Sequence, residues 1–211
     1  MAGIGATTRR PHVWRPAAHG STSARTLLLL HGTGADERDL LGLGKALDPE
    51  ANLLSPRGLV VADGMARFFL RYPDGSFDEV GIRNNADELA EFVSSASFQY
   101  GFNPESVWAV GFSNGANAAG SLLLTHPETI QGVVAFGTTK SFVEPPNPIP
   151  DLKGKKVFIA NGKLDDYSPA DKTDAMVREF RQYGATVDLM VHGGGHTISH
   201  EHVKRIAAAL R

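Results

Sequence analysis

Serine, acid and histidine, met in that order along this chain, could together carry nucleophilic chemistry. The serine is Ser113 in "VWAVGFSNGAN", with Gly111 and Gly115 two residues to either side. A serine hydroxyl attacks a carbonyl only when a base takes its proton, and an orienting carboxylate makes that base effective. Composition alone yields about 0.15 G-x-S-x-G matches in a chain like this, so the bare pattern is weak. Its context is stronger. An apolar run ends at the serine and a helix of small residues begins, and so sharp a turn leaves no room for side chains at the flanking glycines. The hydroxyl should then stand clear of a sheet, at a helix N-terminus whose dipole favours developing negative charge. The competing reading is a serine that merely caps the helix, which requires neither glycine.

The carboxylate should follow a later strand. "KVFIANGKLDDYSPAD" supplies a strand, Gly162, then Asp165 and Asp166, then Pro169 opening a helix. Both aspartates are candidates; Asp165 is preferred, with Asp166 solvated or capping, and both acting as plain loop acids is the alternative. The base should follow the next strand, where "TVDLMVHGGGHTISHEHVKR" offers His192, His196, His200 and His202. His196 lies on a glycine-freed loop directly after the strand and is preferred, with His200 second. A metal site is rejected: H-E-x-x-H would need histidine at 204, which is Lys204, and three glycines separate His192 from His196.

Acyl transfer through serine also needs donors for an oxyanion, commonly two backbone amides. Asn114, next after the serine, is one candidate. Thr33 in "LLLLHGTGADERDL" is the other, with His31 bracing that loop. A dinucleotide fingerprint here would need glycine at 37, where Glu37 stands.

These residues need a scaffold. Short apolar runs stopped by glycine, at 26–32, 106–113, 131–137, 156–162 and 186–195, read as strands buried on both faces. Helical patterns alternate with them. Ile82, Ala86, Leu89, Val93 and Ala96 form one stripe, a helix opens near Pro169 and ends near Gly184, and Val203, Ile206, Ala207 and Leu210 form another stripe. The alternation predicts an α/β fold, a mostly parallel sheet with helices on both faces. Residues 12–16, 53–61 and 66–72 are expected to add strands near one edge.

The chain has 211 residues, 42% hydrophobic and 21% charged, with formal net charge −2 and no cysteine. That composition suits one domain, expected over 12–211 after a flexible 1–11, and excludes disulfides, zinc–thiolate sites and a cysteine nucleophile. No charge block points to nucleic acid or a membrane surface, and no apolar run is long enough for a signal core or a span, so a cytoplasmic protein is expected.

With the "HGTG" loop, the order Ser113, Asp165, His196 resembles the α/β-hydrolase fold. More closely, "LLHGTGADERDLLGLGKAL", "LLSPRG", "RFFLR", "GFSNGAN" and "NGKLDD" resemble the phospholipase/carboxylesterase family, in particular hydroquinone-response carboxylesterases related to dienelactone hydrolases. The resemblance implies a serine carboxylesterase with no cofactor and no metal, acting on small ester substrates, with a homodimer as the oligomer to test. An acyl-thioesterase or protein deacylase, and a non-catalytic small-molecule receptor, are the other classes the scaffold admits. Dienelactone hydrolases themselves use a cysteine, which this chain lacks. Asn114 replaces the Gln or Met more usual after the serine, so its side chain is expected to alter the pocket while leaving the backbone donor intact. Only 18 residues separate the strands ending at Gly137 and starting at Lys156, which leaves no room for a cap domain and predicts an open site for short acyl chains. Phe68, Phe69 and Leu164 are candidates to line it, or to lie in the core.

Overall fold

The computed structural model describes residues 10–20 and 22–211. Its central sheet has seven strands: β1 (His12–Arg15), β2 (Thr26–Leu30), β3 (Asn52–Pro56), β6 (Val107–Phe112), β7 (Gly132–Phe136), β8 (Lys156–Gly162) and β9 (Thr186–His192), in the spatial order β1-β3-β2-β6-β7-β8-β9. Only β1 runs antiparallel, against β3; all other neighbours are parallel. Four of the five strands read as apolar runs, β2, β6, β7 and β8, are central and covered on both faces; β9, expected to be buried likewise, is instead an edge strand paired only with β8, and Thr186 and Val191 on it are exposed. Leu28, Leu30, Val133, Ala135, Val157 and Ile159 face one layer of the core, while Leu27, Leu29, Val134, Phe136, Phe158 and Ala160 face the other. That strict alternation is the pleat of a strand, whose successive side chains point to opposite faces.

Among the described residues, five α-helices supply the layers. The helices α2 (Glu79–Tyr100), α3 (Asn114–Thr125) and α4 (Ala170–Gln182) cover one face; α1 (Leu41–Leu47) and α5 (His200–Leu210) cover the other. Every residue of the two predicted stripes is buried. Helix α2 begins at Asp78, whose carboxylate accepts from Gly81 N–H at 3.0 Å, and stops at Gly101 in the left-handed conformation. The segment 138–155 between β7 and β8 carries no helix or strand, so no cap covers the sheet.

Two further expectations need correction. The stretch 66–72 does not extend the main sheet. A separate hairpin forms instead, β4 (Val60–Ala62) with β5 (Met65–Arg67), after which Phe68 and Phe69 turn into the core. Beyond them only an isolated bridge joins Arg71 to Phe77. Of the flexible segment expected over 1–11, residues 1–9 lie outside the described residues, whereas Arg10 and Pro11 are held. Arg10 is buried and its Nε donates to Arg57 O at 2.9 Å, and Pro11 O accepts from Arg57 N–H at 2.8 Å.

Candidate active site

Ser113 follows β6 directly and adopts φ +54° and ψ −118°, a backbone conformation that costs a non-glycine residue about 1 kcal/mol or more. Backbone bonds hold it there: Ser113 N–H donates to Phe136 O at 2.9 Å, and Asn117 N–H donates to Ser113 O at 3.0 Å. The serine side chain makes no capping bond to α3, so the cap reading fails and the hydroxyl is left to the cleft. Both flanking glycines are sterically required. A Cβ on Gly111 would collide with the backbone of Gly115 and Ala116, and one on Gly115 with the carbonyls of Leu30 and His31.

His196 lies in the same cleft as Ser113. Its Nδ1 bonds to Asp165 Oδ2 at 2.7 Å, and the carboxylate is fully shielded from solvent. An ionised Asp165 can only accept, so Nδ1 carries the proton and the Nε2 lone pair is free to take one. The second oxygen, Oδ1, accepts from Tyr167 N–H at 2.9 Å, which fixes the carboxylate. Asp166 is exposed. The His196 ring rests between Phe112 and Tyr167, with centroids 4.9 and 5.0 Å away. Gly162 has to be glycine because a Cβ there would strike the carbonyls of Gly194 and Gly195, the loop that delivers His196.

The other histidines brace this geometry or stand apart. His192 Nδ1 accepts from Gly194 N–H at 3.1 Å, which leaves its Nε2 to donate to Thr197 O at 3.1 Å, so one ring staples both sides of the His196 loop. His202 is buried against His192, and burial pushes its pKa down. His200 is exposed at the start of α5. His31 does for the 31–34 loop what His192 does for the other. It is buried, accepts from Gly58 N–H at 3.0 Å through Nε2 and bonds Gly32 O at 2.7 Å through Nδ1. That pattern requires the neutral ring, and burial lowers its pKa accordingly. The loop is tied further by Gly34 N–H to Ala66 O at 2.9 Å and by Glu37, whose carboxylate grips Arg57 at 2.5 and 2.8 Å.

The backbone amides of Thr33 and Asn114 have no protein acceptor among the described residues, and both residues line the cleft beside Ser113. The Asn114 side chain, expected to alter the pocket, is turned away into the protein. Its Oδ1 accepts from Phe68 N–H at 2.7 Å and its Nδ2 donates to Phe69 O at 3.0 Å, so it clamps the chain leaving the β4–β5 hairpin.

The cleft has a volume of about 430 Å³. Phe68 and Phe69 are buried in the core, Leu164 is exposed outside it, and none of the three lines it. Its walls come instead from Met65, Arg67, Arg71, Phe77 and Tyr167, around Ser113 and His196. Sequence reasoning missed these five. For Arg71 and Phe77 the only signal was the turn-rich character of 68–81, which marks a loop and says nothing of which side chains turn inward; Met65, Arg67 and Tyr167 lie outside that stretch.

A cleft at the carboxyl ends of a parallel sheet, with a serine on a strained strand-to-helix turn, defines an α/β hydrolase. The family model for phospholipase/carboxylesterase matches residues 17–211, and the chain belongs to that family. It is 40% identical over 183 residues to the hydrolase MhqD of Bacillus subtilis, covering 84% of this chain and 88% of that protein. A crystal structure of a Bacillus cereus carboxylesterase is similar at 34% identity with a TM-score of 0.90, covering 95% of this chain and 93% of the other. Acyl-protein thioesterase 1 of Eremothecium gossypii is 31% identical over 120 residues, spanning 55% of this chain and 51% of that protein.

Proposed function

We propose that this hydrolase is a serine carboxylesterase that cleaves small carboxylic esters through an acyl-enzyme. The observation that carries the reading is the shielded Asp165–His196 pair at 2.7 Å, facing the cleft that also holds Ser113. In the proposed cycle His196 Nε2 takes the Ser113 proton as Oγ attacks the ester carbonyl. The amides of Thr33 and Asn114 hold the oxyanion, and collapse expels the alcohol, which receives the proton from His196. Water, deprotonated by the same ring, then releases the acid and restores the serine. Asp165 keeps the ring in the required tautomer and stabilises its cation. The small, uncapped cleft suits short acyl chains and diffusible substrates, in keeping with a cytoplasmic enzyme; among the described residues no helix is long and apolar enough to cross a membrane.

An organophosphonate probe followed by peptide mapping tests this directly. A single adduct on Ser113, lost in His196→Ala, is the expected result; an unlabelled serine would refute the mechanism. The similarity to an acyl-protein thioesterase favours a second reading, hydrolysis of acyl thioesters by the same residues. A higher kcat/KM on an S-acylated peptide than on its oxygen-ester analogue would select it.

A further inference from the structure

Among the residues lining the cleft, the charged side chains are Arg67 and Arg71, and no aspartate or glutamate is among them. Neither arginine has a carboxylate within salt-bridge distance among the described residues. The nearby acid, Asp165, spends its two oxygens on His196 and on Tyr167 N–H. Arg67 is buried and anchored to the hairpin through Nη2 to Ala62 O at 2.8 Å. Arg71 is held differently. Its Nε donates to Gly75 O at 3.2 Å, and its guanidinium lies over Phe77 at 5.3 Å and Tyr167 at 5.6 Å. Tyr167 in turn packs on His196, so Arg71 is one aromatic ring removed from that imidazole. Both of its Nη groups have no protein acceptor among the described residues.

A guanidinium braced by two aromatic faces, with its terminal donors unclaimed, is prepared for a planar anion. We infer that Arg71, together with Arg67, makes the cleft selective for esters that carry a carboxylate, such as half-esters of dicarboxylic acids. The inference rests on the ester-hydrolase reading above and names its substrate class. Binding the carboxylate at Arg71 leaves the ester carbonyl for Ser113, and the two charges of the wall exclude cationic esters.

Two matched ester pairs test it: mono(4-nitrophenyl) glutarate against 4-nitrophenyl valerate, and 3-carboxyphenyl acetate against phenyl acetate, each corrected for the buffer rate. The first places the charge on the acyl side and the second on the alcohol side. The wild-type enzyme should favour the anionic member of at least one pair by about tenfold or more in kcat/KM, as a charge-assisted pair at a partly wet site allows. Arg71→Gln should bring that ratio close to one, chiefly through KM, while Arg71→Lys retains part of it. A wild-type ratio at or below one in both pairs, or a ratio that survives Arg71→Gln, overturns the inference. If no ester is turned over, the hydrolase mechanism has failed and the charge question is still decided by NMR titration. Monomethyl glutarate should then shift cleft resonances at lower concentration than methyl valerate, and Arg71→Gln should remove the difference; equal binding would refute the role of Arg71.

Discussion

Gly137 and His196 are packed so closely that a Cβ on the glycine would lie 2.7 Å from Cε1 and 3.0 Å from Nδ1 of the imidazole. Gly137 closes β7 with φ +63°, a conformation that itself disfavours any other residue. The position of the imidazole in the cleft is therefore set by the absence of a side chain at the end of a neighbouring strand. On the proposed mechanism, Gly137→Ala should lower kcat/KM by about 10- to 100-fold, since ångström-scale misplacement of the general base costs that much. Steady-state kinetics on a short-chain ester, with a crystal structure of the variant, would check both the rate and the displaced ring.

Asp165 and Asp166 are adjacent in sequence and opposite in situation. The first is shielded and bonded to His196, the second is exposed. Asp165→Asn should reduce kcat by about 10⁴-fold, because the amide imposes the wrong imidazole tautomer. Asp166→Asn should stay within about threefold of the parent, as surface substitutions generally do. Reversed magnitudes would reassign the acid.

The strain at Ser113 implies an exchange of stability for activity. Ser113→Gly relieves the positive φ and should raise stability by about 1 kcal/mol, or roughly 2–4 °C in Tm for a domain of this size, while abolishing turnover. Calorimetry on the two proteins measures the shift. An unchanged or lower Tm would mean that the turn is not a store of strain.

Asn114 joins the serine turn to the chain that leaves the β4–β5 hairpin through two buried hydrogen bonds. Asn114→Ala leaves Phe68 N–H and Phe69 O without partners and should destabilise the protein by about 2–4 kcal/mol. Because that chain continues to Arg71, the same substitution should loosen the cleft wall. Urea unfolding gives the first quantity, and KM for an anionic ester gives the second.

Acid should weaken the fold through His31. Burial holds its folded pKa below the unfolded value of 6.5, so the unfolded chain binds more protons in that window. The stability contribution is present above pH 6.5 and is lost as pH falls towards the folded pKa. His202, also lowered by burial, acts with the same sign. Unfolding free energies between pH 7.5 and 5 should fall for the wild type and fall less steeply for His31→Gln, with the double variant at His31 and His202 flatter still.

How much of this was legible in the chain differs from residue to residue. Ser113 could be read because the turn's demand for glycine at 111 and 115 is local and steric. His196 and Asp165 could be read because each follows an apolar strand, and a parallel sheet gathers the carboxyl ends of its strands on one edge. Period and spacing are short-range properties, and they determined most of the strands of the main sheet and the helix stripes. The wall of the cleft was decided elsewhere. Phe68, Phe69 and Arg71 are close neighbours in an irregular segment with no period, and only packing against α2, α3 and the Asn114 side chain sends the phenylalanines inward. Arg71 is left at the cleft because Phe77 and Tyr167, the latter 96 residues further along the chain, close over its guanidinium. Long-range contacts of that kind follow from the assembled three-dimensional packing, and no local pattern in the sequence encodes them.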